Sequence, residues 1–171
     1  WREYRALRVS ALAESPDAFG STFARERLTS SREWEERLAS GSVSGRDAPL
    51  VAQVDGDFVG LVWGRIDPGD PDTAYVFQMW VTPAMRGGGV GRALLEAVVD
   101  WAREAEARTV RLGVTCGDTP ARRMYERSGF VAAGEPVPLR AGSSTLSQPM
   151  RLQVVRTGSV DIATADEVTR R

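Results

Sequence analysis

Residues 81–92 read Val81-Thr82-Pro83-Ala84-Met85-Arg86-Gly87-Gly88-Gly89-Val90-Gly91-Arg92. Four glycines fall within five positions, between an apolar run that ends at Val81 and a segment of helical periodicity. Val90, Leu94, Ala97, Val98, Trp101, Ala102 and Ala105 share one face at 3.6-residue spacing. A glycine-rich turn at a helix start leaves backbone N–H groups unpaired, and the helix dipole adds partial positive charge. Such a turn binds phosphate. Glycine keeps Cβ atoms away from those N–H groups and permits φ > 0.

The spacing decides which phosphate ligand. A Walker loop ends in Gly-Lys-Ser/Thr, whereas Gly91 is followed by Arg92 and Ala93, which disfavours a nucleotide-binding switch protein. The dinucleotide fingerprint Gly-x-Gly-x-x-Gly, started at Gly87 or Gly89, meets Arg92 or Leu94 at its third glycine. What remains is Arg86-x-x-Gly89-x-Gly91. Downstream, Thr109–Cys116 alternates like a strand, with Val110, Leu112 and Val114 on one face. Thr119 or Asp118 can cap a following helix with Pro120 near its first position, and Ser128-Gly129-Phe130 ends it.

The first motif resembles the coenzyme A pyrophosphate loop of the GNAT superfamily of N-acetyltransferases. The second, Asp118-x-x-Ala121-x-x-x-Tyr125-Glu126-x-x-Gly129-Phe130, is similar to the Asn-x-x-Ala-x-x-x-Tyr-x-x-x-Gly-Phe pattern of the same family. Asp118 stands where the family usually has Asn. An ionised Asp only accepts, so the family's contact to the pantetheine arm is in doubt at this position. The resemblance spans roughly residues 50–155. It implies an α/β (α+β) GNAT fold over a single domain, 1–171: a mixed, mostly antiparallel sheet flanked by helices, with a β-α-β-α core that binds coenzyme A.

The resemblance further implies acetyl-CoA as cosubstrate, no metal, and transfer of its acetyl group to a primary amine of a small molecule, peptide or protein. Transfer would be direct, in a ternary complex. The cofactor site would comprise Met79, Trp80, Val81, Arg86, Gly87, Gly88, Gly89, Val90, Gly91, Arg92, Asp118 and Tyr125. Backbone N–H groups of 79–81 would polarise the acetyl carbonyl. Tyr125 occupies the place of the family's general acid; a phenol of pKa about 10 can protonate a thiolate of pKa about 8.5. The general base is open. Gln78 stands where some relatives carry a carboxylate and cannot titrate; Glu26 and Asp17 read first as solvated surface residues, although either could lie at the acceptor side, and water could relay. A non-catalytic acyl-CoA-binding regulatory module is the alternative reading, kept open by Asp118 and by the lack of an obvious base.

Composition narrows the chemistry. At 171 residues the chain suits one domain with a full core. A net charge of −1 offers no broad surface for nucleic acid or anionic membrane. The chain has no histidine, which removes Ser-His and Cys-His nucleophile pairs, and its single cysteine, Cys116, cannot form an internal disulfide. Cys116 reads as a small apolar residue, although a strand end could bring it near the thioester. With no apolar run near 18 residues and no signal peptide, the expectation is a cytoplasmic protein, with room for a homodimer.

Along the chain, residues 1–12 read as a helix with Trp1, Tyr4, Leu7 and Ala11 on one face. A turn at 15–20 follows, then a helix at 31–38 opened by Ser30 and Glu33. Residues 41–49 read as a loop. Strands are expected at 50–54 and 58–66 around an Asp55-Gly56-Asp57 hairpin, at 73–82, and after Phe130 at 131–134 and 146–154. The five tryptophans with Phe58, Phe77 and Phe130 read as core. The acceptor pocket is expected between the turn at 14–19 and the Pro-Gly-Ser loop at 135–148.

The last fourteen residues suggest one more expectation. Val160 and Ile162 alternate as in a strand, and Thr164-Ala165-Asp166-Glu167 is a capping-box signature. Joining Arg171 to Trp1 places Val168, Trp1, Tyr4 and Leu7 on one apolar stripe. Residues 158–171 would then supply the family's first strand and helix start in a circularly permuted order.

Overall fold

The computed structural model describes residues 1–155. The expected permutation rests on residues 158–171, which lie outside the described residues. The elements run α1 (Arg2–Glu14), α2 (Phe23–Arg27), α3 (Ser31–Ser44), β1 (Asp47–Val54), β2 (Asp57–Ile66), β3 (Thr73–Val81), α4 (Val90–Glu104), β4 (Thr109–Thr115), α5 (Pro120–Arg127), β5 (Val131–Ala132), β6 (Val137–Pro138) and β7 (Leu146–Gln153). Seven strands form one sheet in the order β1-β2-β3-β4-β7-β5, with β6 also on β7. Among the described residues only β3 and β4 pair in parallel, joined by the α4 crossover. The expected mixed, mostly antiparallel sheet with a β-α-β-α unit is what forms.

Each face of the sheet carries its own core. On one side α4 and α5 bury Leu94, Leu95, Val98, Val99, Ala102 and Tyr125 against Val62, Val76, Val110, Leu112 and Met150. The α4 stripe is therefore rotated from the expected one: Ala97 is exposed, while Leu95 and Val99 are buried. Gly64 of β2 permits this packing, because a Cβ there would sit 2.5 Å from Val98 and 2.6 Å from the Trp101 ring. On the other side α1 and α3 bury Tyr4, Leu7, Ala11, Leu12 and Trp34 against Leu61, Trp63 and Trp80.

Several expectations need correction. Residues 41–49 are not a loop: α3 runs to Ser44, Gly45 closes it at φ 66°, and β1 begins at Asp47. Pro49 is tolerated because β1 is an edge strand of the described sheet and needs no N–H on its outer side. The short α2, capped by the Thr22 side chain, had no place in the sequence reading. β5 spans two residues only, not four. Phe58 and Phe77 are not core; both are exposed, at 39% and 45%.

Candidate acetyl-transfer site

The site opens where the sheet comes apart. β3 and β4 pair at Thr73–Thr109, Ala74–Val110 and Tyr75–Arg111, and the ladder ends there. Beyond it β4 stays paired to β7 as far as Thr115, and β3 to β2 as far as Val81. The rest of β3 thus faces a gap. A bulge turns β3 further: Trp63 pairs with Phe77 and Leu61 with Trp80, so Gln78 and Met79 stand opposite Val62 alone. Gln78 takes φ 57°, a conformation that non-glycine residues seldom hold without surrounding support. Tyr4 supplies some of it, donating from its hydroxyl to Gln78 Oε1 at 3.3 Å.

Two cavities adjoin this gap. The larger, about 1180 Å³, runs from the glycine turn and α4 to α5, and its walls include Met79, Trp80, Val81, Arg86, Gly87, Gly89, Gly91, Arg92 and Tyr125. The smaller, about 620 Å³, lies under α1, α2 and α3 and is lined by Arg8, Glu26, Arg37, Phe77 and Gln78 among others. Ala18, Phe19, Met79 and Tyr125 line both. Of the residues assigned to cofactor binding, Gly88, Val90 and Asp118 do not line the large cavity. Asp118 is 81% exposed and pairs with Arg123 at 2.6 Å.

The glycine turn has the geometry of an anion cradle. Gly87 and Gly89 sit at φ 82° and 88°, and beyond the adjoining residues no protein atom lies within 4 Å of where a Cβ would be at either position. Gly89 is the N-cap of α4 and provides no side-chain cap, so the first N–H groups of the helix have no intrahelical partner. A pyrophosphate fits there chemically: backbone donors, the positive helix end and two arginines converge. Both arginines hold carboxylates in the structure. Arg92 Nε donates to Glu96 Oε1 at 2.7 Å. Arg86 makes a two-pronged contact to Glu14 at 3.1 and 2.7 Å and donates from Nε to the Val81 carbonyl at 3.0 Å. Trp80 Nε1 donates to the same Glu14 carboxylate at 3.0 Å, and these donors, with Ser15, draw its pKa down to about 2.

Tyr125 stands at the junction of the two cavities. α5 positions it: Thr119 caps the helix, its side chain accepting from Arg122 N at 3.1 Å, and Pro120 opens the first turn. The ring packs against Phe130 at 5.9 Å between centroids, and the hydroxyl lies 3.4 Å from Met79 Sδ. Burial pushes the phenol up to about 12, with no charged neighbour contributing.

The turn after α1 and the loop before β7 come together. Arg140 donates to the carbonyls of Pro16 and Phe19, each at 3.0 Å, and Thr115 Oγ1 donates to the Asp17 carbonyl at 2.8 Å. Asp17 is an ion-pair partner of Arg140 at 3.6 Å and does not line the smaller cavity. Glu26 does line it, accepting from Ser21 at 3.0 Å and Arg37 at 3.3 Å. Arg8, 2% exposed, stacks on Phe19 at 4.6 Å and faces Glu26 at 3.8 Å. The sequence reading missed Arg8, although it falls four residues after Tyr4 and three before Ala11, on the apolar stripe of α1. Cys116 is half-buried and lines neither cavity. Among the described residues no cluster of three or more His, Cys, Asp or Glu could hold a metal ion, and no helix is long and apolar enough to cross a membrane.

Comparison with known proteins agrees with this architecture. An L-2,4-diaminobutyric acid acetyltransferase of Nocardia farcinica is 35% identical over 108 residues, covering 61% of this chain and 51% of that protein. A mycothiol acetyltransferase of Brachybacterium faecium is 33% identical over 138 residues, covering 80% of this chain and 39% of that protein. The chain thus spans about half, or less, of the length of these curated relatives. Among solved structures, YncA of Salmonella typhimurium with its cofactor acetyl-CoA superposes with a TM-score of 0.73 at 20% identity, over 93% of this chain and 91% of that one. The model of the acetyltransferase (GNAT) family matches residues 9–130. That match covers well over half of the sequence, and the chain belongs to the GNAT acetyltransferase family.

Proposed function

We propose that the protein moves the acetyl group of acetyl-CoA to a primary amine by direct transfer, both substrates being held at once. The observation that carries this reading is the junction at Met79 and Tyr125, where a cavity walled mainly by the glycine turn, α4 and α5 adjoins one walled by residues of α1, α2 and α3 beside the gap between β3 and β4. A module that only bound acyl-CoA would need the first cavity and not the second.

Acetyl-CoA supplies an acetyl group already activated as a thioester. Gly87–Arg92 would hold its pyrophosphate, and Arg86 and Arg92 would exchange exposed carboxylates for phosphate at little cost, since such pairs are worth about 0–1 kcal/mol. The bulge at Gln78–Met79 turns the backbone of β3 so that an N–H of the 79–81 segment can donate to the carbonyl oxygen, where charge develops. The acceptor nitrogen reaches the carbonyl carbon as a neutral amine; a C–N bond forms, the C–S bond breaks, sulphur gains a proton and nitrogen loses one. Tyr125 is the donor to sulphur. Its phenol is fully protonated at neutral pH, and the burial that raises its pKa makes a bare thiolate equally unwelcome there. The nitrogen's proton leaves through the acceptor cavity, where Glu26 is a carboxylate on the wall.

A panel of amines with acetyl-CoA, read by release of free thiol, tests the proposal. Amine-dependent thiol release, with N-acetylated product detected by mass spectrometry, is expected. Binding of CoA with no acetylation of any amine, peptide or aminoglycoside would move the protein to the regulatory-module reading.

A further inference from the structure

Arg8 is an unusual wall for an amine pocket. The residue is 2% exposed, yet no hydrogen bond among the described residues uses any guanidinium nitrogen, and Nε and Nη1 are fully buried without an acceptor. Glu26, at 3.8 Å, gives charge but no hydrogen bond. Glu26 is also shared: Arg37 and Ser21 already donate to it. Arg65, a third arginine on the cavity wall, is matched by Asp47 at 2.6 Å, which among the described residues leaves Arg8 and Arg37 against the single carboxylate of Glu26. A buried fork of donors beside a positive imbalance matches a planar anion with two acceptor oxygens. The opposite wall differs in character: Val76, Met79, Leu112 and Tyr125 are apolar or uncharged, and a neutral amine is less disfavoured there than an ammonium.

We infer that the acceptor carries a carboxylate as well as the reacting amine, and that Arg8, stacked on Phe19, is the residue that binds it, with Arg37 in support. The acceptor is then an amino acid or a molecule that presents one, and not a polyamine. This rests on the acetyl-transfer reading of the same cavity. It adds a ligand group that reading does not require.

Matched pairs of acceptors test it: L-alanine against ethylamine, L-ornithine against putrescine, L-lysine against cadaverine, each with saturating acetyl-CoA. The best acid should exceed its decarboxylated partner by about tenfold or more in kcat/KM, the weight of one charge-assisted hydrogen bond. Arg8→Gln should erase that ratio, through a larger rise in KM for the acid than for its amine partner. Because removing a buried cation can upset folding, Arg8→Lys and the CoA-induced rise in Tm serve as controls, and the wild-type ratio needs no variant. Equal turnover within every pair overturns the carboxylate site and leaves acetyl transfer standing. If no member releases thiol, the Tm of the CoA-loaded protein decides: stabilisation by the acids alone, lost in Arg8→Gln, upholds the site, and its absence overturns it.

Discussion

The two cavities that meet at Tyr125 are built from different materials. The large one offers mainly backbone: a glycine turn, the open end of α4 and the unzipped edge of β3. The small one offers long side chains, Arg8, Glu26 and Arg37, delivered by three separate helices. A backbone cradle depends on a few glycines and tolerates change elsewhere. A side-chain pocket changes its preference with each substitution. The difference teaches why one half of such a site can stay constant in chemistry while the other is free to select an acceptor.

The junction should show the largest effect. Tyr125→Phe keeps the ring against Phe130 and removes the proton donor; kcat is expected to fall by about 10² to 10⁴, with CoA affinity nearly unchanged. Turnover within about twofold of wild type would separate the phenol from thiolate departure. The same residue shapes the pH profile. With its pKa near 12, Tyr125 stays protonated through the assay range, so kcat/KM should climb with pH as the amine loses its proton, with no descending limb below about pH 10. An alkaline fall centred near pH 8 or 9 would assign the acid to another group.

Gly89→Asp should break the backbone half alone. It puts a side chain and a negative charge into the cradle at φ 88°. CoA should no longer raise Tm, an increase that mass action otherwise guarantees for a ligand of the folded state. Unchanged CoA affinity in a folded Gly89→Asp protein would remove the turn from the site. Glu26→Gln should break the side-chain half. It leaves buried Arg8 without its counter-charge, a loss of about 3 kcal/mol measurable by denaturant unfolding, while the CoA-induced Tm shift survives. Unaltered stability would mean that Arg8 finds its compensation elsewhere.

The smallest effect belongs to the Glu14–Arg86 pair that ties α1 to the glycine turn. Glu14 is 37% exposed, so solvent screening limits the pair to about 1 kcal/mol or less. Its folded pKa is depressed to about 2, so its stabilisation is complete above its ordinary value of 4.5 and is lost as pH falls toward 2. Glu14→Gln should therefore lower Tm slightly at neutral pH, and the difference from wild type should close at acid pH. A gap that persists below pH 2 would mean that packing, not charge, is what the substitution disturbs.

The backbone half was legible in the sequence because its signals are local. Glycine spacing, the α4 periodicity and the Thr119-Pro120 cap each lie within one segment, and the structure has Tyr125 on the wall of the cavity that the glycine turn also lines. The bulge at Gln78–Met79 was not legible, since nothing in Phe77-Gln78-Met79 demands φ > 0; the register with β2 imposes it. The charged cluster was hidden for a related reason. Glu26 meets Arg37 eleven positions away and Arg8 eighteen away, through helices whose packing the sequence does not state. Arg8 was visible only as a cation on an apolar stripe, which on its own reads as a snorkelling surface residue. Gly41, Gly45 and Pro49 suggested a loop at 41–49 because residues that break elements also close helices and sit on edge strands.

The central claim is that two substrates meet across the gap between β3 and β4. Initial velocities measured over a grid of acetyl-CoA and acceptor concentrations test it most directly. Direct transfer at a shared junction predicts intersecting double-reciprocal lines and no acetylated protein. Parallel lines, with an acetyl group trapped on the enzyme in the absence of acceptor, would contradict the account.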